Sequence, residues 1–213
     1  MKKDYLVITN EFKKTLVYYP VAKNANSSSK LFLIKHLGIQ NNFYFSEDDF
    51  PRHKNTLERL KNYNNKISII NFLPNYTKFQ KMNVDERACI IRDPIERFIS
   101  AYKNRILYHK DNEFKDHTVD EVLEKLENNL FENKHFLQQS FWLGDDIKYF
   151  TIIANIKNLS PFIDSINKFF SKNIEFPKIQ SGGREFLINL NASQKDKILK
   201  IYANDYDLVG NYL

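Results

Sequence analysis

Cysteine and glycine are both scarce in this chain of 213 residues. Cys89 is the only cysteine, which excludes an intrachain disulfide and any metal cluster built from cysteine ligands. It lies in an apolar run, residues 88–91, where we expect the thiol to be a small buried side chain. No glycine occurs between Val21 and Gly38, so the glycine-rich loop G-x-x-x-x-G-K-[ST] of nucleoside triphosphatases is absent. An ordinary kinase or GTPase is therefore disfavoured.

Long apolar runs are also missing. No stretch approaches the roughly 20 residues that a membrane-spanning helix needs, and residues 1–5, MKKDY, lack the apolar region of a signal peptide. We therefore expect a soluble, cytoplasmic protein with no transmembrane segment. The length suits one core, since single cores stop growing only at about 250 residues, and we expect a single domain over residues 1–213.

The chain carries a formal net charge of +6 and a pI near 9.1. A basic protein favours polyanionic partners, whether nucleic acid, nucleotide or acidic glycan. Lysine and asparagine are spread along the whole chain and not clustered, so composition alone favours a solvated lysine-rich surface. Charge alone does not choose among these partners.

Apolar runs of strand length alternate with helical patterns along the chain. Strand-like runs cover residues 5–9, 15–19, 67–72, 88–91 and 149–154, and the first two suggest a hairpin or two neighbouring strands. Helical patterns cover residues 31–37 (closed by Gly38), 95–107, 119–126, 161–170 and 193–202. This order predicts an α/β fold of three layers, with a small central parallel sheet flanked by helices.

The segment RDPIERFISAY at residues 92–102 reads as the end of a strand followed by a tightly fixed helix start. Asp93 can cap the helix, Pro94 suits its first position, and Glu96 can complete a capping box with Asp93. Arg92 then stands at the carboxyl edge of the sheet, where ligands bind, and its planar fork suits a phosphate. Ser100 lies beside the apolar stripe and could bond a ligand. A well-capped helix with an ordinary surface serine is the simpler alternative.

The segment YPVAKNANSSSK at residues 19–30 has the layout of a phosphate loop between a strand and its helix. Helix-start amides and the hydroxyls of Ser27 and Ser28 could converge on an anion, with Lys23 adding a mobile positive charge. A polar loop with a serine cap would give the same pattern.

Together these two segments resemble the cofactor signature of the sulfotransferase superfamily, in particular the carbohydrate sulfotransferases and their bacterial relatives. The family pattern R-D-P-x-x-R-x-x-S-x-Y binds the 3′-phosphate of 3′-phosphoadenosine 5′-phosphosulfate (PAPS), which implies that role for Arg92 and Ser100. The family's 5′-phosphosulfate loop, P-K-x-x-x-T/S-S, has Ala22 in place of its proline here, and the positions that fall on the rest are Lys23, Asn26, Ser27 and Ser28. The resemblance implies a P-loop-like fold.

Further segments resemble the same family. HFLQQ at residues 135–139 looks like the family's H-x-x-P-Q, with Gln138 in place of proline, and YANDY at residues 202–206 looks like its closing Y-x-x-D-Y. SGGR at residues 181–184 is a basic turn where the family often places a loop over the cofactor, which implies a cofactor contact for Arg184; a plain surface turn is the alternative.

The resemblance implies transfer of a sulfuryl group from PAPS to a hydroxyl of a carbohydrate or glycolipid, with 3′-phosphoadenosine 5′-phosphate (PAP) as product and no metal or nucleic acid. Lys23 would stabilise the leaving phosphate. The candidate general bases are His53, which we place first, and His135, with an acidic group at residues 47–49 behind them. Trp142 could pack on a sugar ring, or be a core residue.

Two other classes of protein remain open. A noncatalytic nucleic-acid-binding protein would use the basic surface and the aromatic residues, but leaves the pattern at residues 92–102 unexplained. An atypical nucleotide kinase would account for the strand, loop and helix, but lacks a glycine-rich loop and a clear magnesium-binding acid.

Overall fold

The computed structural model describes residues 3–38, 67–72, 81–131, 133–178, 183 and 185–213. Its strands are β1 (Lys3–Thr9), β2 (Thr15–Tyr19), β3 (Ile67–Phe72), β4 (Glu86–Ile91) and β5 (Ile152–Asn155). The α-helices of these ranges are α1 (Asn26–His36), α2 (Pro94–Tyr102), α3 (Val119–Glu127), α4 (Gln139–Leu143), α5 (Ser160–Phe170), α6 (Ala192–Ile201) and α7 (Ala203–Val209).

One sheet of five strands, in the order β3-β1-β2-β4-β5, forms the centre of the fold. β2, β4 and β5 run parallel, whereas β1 runs antiparallel to β2 and β3. The hairpin of β1 and β2 closes on Asn10, whose Oδ1 accepts from the backbone amides of Phe12 and Lys14, each at 3.0 Å. A short connection forces neighbouring strands to be antiparallel, so β1 departs from the otherwise parallel sheet.

Helices pack on both faces of the sheet, which confirms the predicted three-layer α/β arrangement. Side chains of β2 alternate: Leu16 and Tyr18 pack in a buried cluster with α1 and α5, while Val17 and Tyr19 pack in a second cluster with α4 and α7. A third buried cluster joins α2, α3 and α6. Helices thus cover the described side chains of β2, β4 and β5 on both faces, while the loops after β2 and β4 leave the carboxyl edge of the sheet.

α4 and α7 were not predicted from the sequence, and several boundaries of the other elements differ from the prediction. α1 begins at Asn26 rather than residue 31, so the serines of the loop belong to its first turn. β5 begins at Ile152 rather than residue 149, because Asp146 accepts a hydrogen bond from the Lys148 amide at 3.0 Å and closes a 3₁₀ turn there. The helix after β4 leaves α geometry at Tyr102 and continues as a π-helix, Lys103–Tyr108. π-Helical turns occur often at functional sites.

Cys89 and Trp142, for which the sequence predicted or allowed a buried position, both lie in the core. Cys89 is fully buried in the second cluster, as expected of a small apolar side chain. Trp142 is in the same cluster with only 7% of its surface exposed, so the expectation that it packs on a sugar is wrong; α4 turns its ring into the sheet. Among the helices described, none has the length and apolar character needed to cross a membrane.

Candidate functional site

The loops that follow β2 and β4 lie side by side at the carboxyl edge of the sheet. β2 and β4 are parallel neighbours, and Tyr19 is paired with Cys89 near their ends. The loop of residues 20–25 then leads into α1, while Arg92 and Asp93 lead into α2. Parallel strands therefore bring the two sequence motifs to one place, the edge at which open α/β sheets bind ligands.

The loop before α1 adopts a conformation that glycine usually supplies. Lys23 has a φ of 72° and Ala25 a φ of 54°, both in the left-handed region. A non-glycine residue in this region costs about 1–2 kcal/mol, and such strain is concentrated at functional sites. The chain thus makes a tight loop without glycine. Ala25, the N-cap residue of α1, has no side-chain oxygen to bond the first helix amides, and the first turn contains no acidic residue. The partial positive charge at the start of α1 is therefore not neutralised by a cap or by a carboxylate of the first turn.

Arg92 connects the two loops directly. Its Nη1 donates a hydrogen bond to the carbonyl oxygen of Lys23 at 3.1 Å. Its Nε is buried and has no hydrogen-bond partner within the described ranges. Burial lowers the pKa of Arg92, an effect that Arg97 increases and the carboxylates of Glu96 and Asp93 oppose. A half-buried guanidinium with an unused donor is suited to bind an anion.

Asp93 caps the start of α2 as predicted, but Glu96 does not complete the predicted capping box. The Asp93 carboxylate accepts from the Glu96 amide at 2.9 Å, and Pro94 occupies the first position. The predicted capping box is incomplete, because the Glu96 carboxylate instead forms an ion pair with Lys157 at 2.7 Å. Ser100 is half-buried about two turns into this helix.

A buried glutamine joins the loop to Arg92. Gln139 Oε1 accepts from Asn24 Nδ2 at 2.7 Å and from the Arg92 amide at 3.1 Å, and its Nε2 donates to the Arg92 carbonyl at 2.8 Å. Asn24 Nδ2 also donates to the carbonyl of Ile90 at 2.8 Å. Both side chains are fully buried.

A buried arginine joins the loop to the segment that carries His135. Arg97 donates to the carbonyl oxygens of Ala22 at 3.4 Å, of His135 at 3.2 Å, and of Leu137. Only 1% of Arg97 is exposed. The residues on either side of the site are therefore connected through the interior of the protein.

His135 lies at the edge of an open cleft of about 560 Å³. Its Nδ1 is buried and has no hydrogen-bond partner in the part of the chain that the structure describes. The cleft is lined entirely by polar and charged residues: Arg105, His109, Lys110, Asp111, Asn112, Glu113, Asn133, Lys134 and His135. Arg105 is held in this wall by Asp111, whose two carboxylate oxygens accept its Nε and Nη2 at 2.6 and 2.5 Å.

Positive charge is concentrated between the loop and the cleft. Burial, with the added repulsion of Arg105 and Arg92, lowers the pKa of Lys23 to about 8. Burial and the charges of Arg105, Lys23, Lys134 and Arg97 lower the pKa of His135 to about 2. His135 is therefore neutral at neutral pH. Like charges held this close together disfavour one another unless an anion binds among them.

The structure brings together several of the residues that the sequence singled out. Arg92 is bonded to Lys23, Arg97 bonds the carbonyls of both Ala22 and His135, and the first turn of α1 contains Asn26, Ser27 and Ser28. His53, which was the first candidate for the base, and Arg184 lie outside the described residues, as does the acidic group at residues 47–49.

Gly183, within the SGGR segment, lies close to the end of α2. It has a φ of 87°, and a Cβ at this position would lie 2.9 Å from the Lys103 carbonyl oxygen. Gly183 therefore lies against the backbone of Lys103, which directly follows the buried Tyr102 at the end of α2. Only glycine permits an approach this close.

Sequence reasoning missed the residues that link the site from within. Arg97 and Gln139 are both fixed positions of the patterns R-D-P-x-x-R and H-x-x-P-Q, a signal that could have identified them. Asn24 and Arg105 carried no such signal, because their partners depend on the tertiary fold.

Comparison with known proteins gives one family and one relative. The sequence model described as "Sulfotransferase family" matches residues 7–138, which include both loops and every residue named above as lining the cleft. A relative named "Uncharacterized protein YydD", from Bacillus subtilis (strain 168), is 26% identical over 164 residues, which cover 72% of this chain. The match spans only 27% of that relative's length. No solved structure matches.

Proposed function

Because this chain belongs to the sulfotransferase family, we propose that it transfers a sulfuryl group from PAPS to a hydroxyl of a carbohydrate or glycolipid. We propose further that residues 1–213 act as one sulfotransferase domain. The observation that carries the proposal is the hydrogen bond from Arg92 to the Lys23 carbonyl beside the start of α1. This bond holds the side chain of Arg92 beside Lys23 and the positively charged start of α1. Positive groups in this arrangement suit a ligand that has two separate phosphate groups.

Each motif residue has a place in the proposed donor site. The amides and side chains at the start of α1, with Ser27 and Ser28 in its first turn, hold the 5′-phosphosulfate. Arg92 binds the 3′-phosphate, with Ser100 and Arg184 as further contacts. The ammonium group of Lys23 lies beside the 5′-phosphate oxygen on which negative charge develops as the bond to sulfur breaks.

The reaction is an in-line displacement at sulfur. The acceptor oxygen forms a bond to sulfur while the bond between sulfur and the bridging oxygen of the 5′-phosphate breaks, and PAP leaves with the bonding electron pair. Lys23 stabilises the charge on that leaving phosphate, and a base takes the proton of the acceptor hydroxyl. The protein contributes positioning and charge, as in phosphoryl transfer.

His135 is the base that we propose from the described residues, with His53 as the alternative. It lines the cleft, and the charge of Lys23 contributes to the lowering of its pKa. As a neutral imidazole with an unbonded Nδ1, it can accept a proton. A bound donor brings several negative charges, which raise the pKa of His135 from about 2 and make it a stronger base.

The cleft supports a carbohydrate acceptor over a phenol or a steroid alcohol. Its lining contains charged side chains, amides and imidazoles but no aliphatic or aromatic hydrocarbon side chain. Apolar ligands bind in pockets lined mostly by apolar residues, whereas a polyhydroxylated ligand needs many hydrogen-bond donors and acceptors. Trp142 makes no contribution, because it is buried in the core.

The test is an acceptor screen with labelled donor. Purified protein is incubated with radiolabelled PAPS and with saccharides, glycolipids, phenols and steroid alcohols. We expect transfer to a saccharide or glycolipid, and a large loss of turnover in His135→Ala with little change in PAP affinity. Transfer confined to phenols would refute the acceptor assignment, and undiminished turnover in His135→Ala would leave His53 as the base.

A further inference from the structure

Three functional groups of the site belong to separate loops of the fold. Lys23 follows β2, Arg92 follows β4, and His135 precedes α4. Within the described ranges, the hydrogen bond from Arg92 to Lys23 is the direct link between two of them. In-line transfer requires reacting groups to be held to within fractions of an ångström. Something else in the fold must therefore fix the distances among the three.

Arg97 fixes Lys23 relative to His135. Its guanidinium donates to the carbonyl of Ala22, which immediately precedes Lys23, and to the carbonyl of His135 itself. Hydrogen bonds to a buried guanidinium offset the cost of burying its charge, so moving either loop would remove partners that this charge needs. The guanidinium carbon lies 5.5 Å from the centre of the Tyr202 ring, which adds a cation–π contact.

Gln139 fixes Arg92 relative to the phosphate loop. It bonds both the amide and the carbonyl of Arg92, and it also accepts from Asn24 next to Lys23. Its amide uses both its oxygen and its nitrogen here, so no other residue of similar size reproduces the set.

The C-terminal helices hold this glutamine in place. The Asp205 carboxylate accepts from the backbone amides of Gln139 and Ser140 at 2.7 and 2.8 Å. Tyr202 donates its hydroxyl to the carbonyl of Phe136 at 2.7 Å. Asp205 and Tyr202 are both buried. The pattern YANDY thus acts on the site through the segment of residues 135–140, and not by contact with a ligand.

We propose that Arg97 and Gln139 are positioning residues with separate tasks, Arg97 setting Lys23 against His135 and Gln139 setting Arg92 against the phosphate loop. This inference rests on the proposed function, because it takes these three groups as the ones that act on donor and acceptor. A merely structural role would predict that loss of either residue weakens every property of the protein together.

The experiment compares Arg97→Lys and Gln139→Leu in two measurements that need no acceptor. The first is the pKa of Lys23, from its rate of acetylation by acetic anhydride at several pH values, quantified by peptide mass spectrometry. The second is the ratio of the Kd values for PAP and 5′-AMP, from titration calorimetry. Two matched controls lie outside the network: Arg87→Lys removes bonds to the carbonyls of Tyr149 and Val84, and Gln194→Leu removes bonds to the Asn191 amide and the Asp120 carboxylate.

We expect Arg97→Lys to raise the pKa of Lys23 from about 8 towards 10.5, because a released loop becomes more hydrated, and to leave the PAP Kd within about threefold. We expect Gln139→Leu to raise the PAP Kd by about tenfold or more while the 5′-AMP Kd changes little, so that the preference for PAP is lost. The control variants should match the wild type in both measurements.

An unchanged Lys23 pKa in Arg97→Lys, or equal weakening of PAP and 5′-AMP in Gln139→Leu, would overturn the proposal. Controls that change as much as the network variants would overturn it too. If the wild type binds no PAP, the proposed function fails, yet the Lys23 pKa still decides the task of Arg97. Thermal unfolding checks that each variant folds, and Arg97→Gln and Asp205→Asn replace a variant that does not, with the same expected directions.

Discussion

The guanidinium of Arg92 donates a hydrogen bond to the carbonyl oxygen of Lys23 at 3.1 Å, across the gap between two parallel strands. One residue follows β4 and the other follows β2, and they are 69 positions apart in the sequence. The bond leaves the Lys23 ammonium group available to a ligand, since it uses the backbone. The proposed donor site depends on this pair.

The first prediction concerns the shape of the Arg92 side chain. Arg92→Lys keeps the charge but loses the planar fork, so it cannot hold the Lys23 carbonyl and a phosphate together. We expect the PAP Kd to rise by about tenfold or more, equivalent to about 1.4 kcal/mol. Titration calorimetry measures the change. An affinity equal to that of the wild type would remove Arg92 from the 3′-phosphate site.

The second prediction separates catalysis from binding at Lys23. Lys23→Ala should lower kcat by about 10²–10³-fold, because the ammonium group is most valuable when charge reaches the leaving phosphate. The Kd of PAP should change far less. Steady-state kinetics with the best acceptor, together with calorimetry, gives both numbers. Normal turnover in this variant would show that Lys23 has no catalytic role.

The third prediction is a pH dependence set by Lys23, whose pKa is lowered to about 8 by burial and by Arg105 and Arg92. PAP affinity should fall as pH rises through about 8, because Lys23 loses its charge there while the phosphates stay ionised. The free energy of unfolding has the opposite pH dependence, because the folded protein holds the Lys23 proton more weakly than the unfolded chain does. The contribution of Lys23 to this free energy is fully present above pH 10.5, decreases as the pH falls, and is lost below about 8. Lys23→Gln should bind PAP more weakly, with a flat profile from pH 7 to 9. A fall in Lys23→Gln matching that of the wild type would assign the titration to another group.

The fourth prediction concerns the strain in the loop. Ala25 has a φ of 54°, so Ala25→Gly should relieve about 1–2 kcal/mol in the folded state and lose about 0.4–1 kcal/mol through the more flexible unfolded chain. We expect a net gain of up to about 1.6 kcal/mol in the free energy of unfolding, measured by urea titration. Ala192→Gly, at the first position of α6, is the control and should be neutral or destabilising. A loss of stability in Ala25→Gly would contradict the strained conformation.

Much of the fold follows from local sequence, and the site follows only in part. The hairpin on Asn10, the strands of β2 and β4 and the cap at Asp93 were predictable, because each depends on neighbouring residues. The early start of α1 was not, because a polar run with alanine at the cap and left-handed non-glycine residues gives no local signal.

The interior of the site depends on contacts between distant parts of the chain. Gln139 meets Arg92 across 47 positions and Asn24 across 115. Contacts between residues this far apart in the sequence cannot be predicted from helix or strand propensity or from hydrophobic periodicity. The sequence could therefore indicate which residues bind a phosphate, but not which buried residues hold them in register.

The account rests most directly on recognition of the 3′-phosphate, and thermal unfolding with two nucleotides tests it. PAP at about 100 times its Kd should raise the free energy of unfolding by about 2.7 kcal/mol, whereas 5′-AMP at the same concentration should raise it far less. The difference should vanish in Arg92→Ala, because only the 3′-phosphate is recognised there. Equal stabilisation by PAP and 5′-AMP, or stabilisation by ATP or short DNA in place of PAP, would contradict the proposed function.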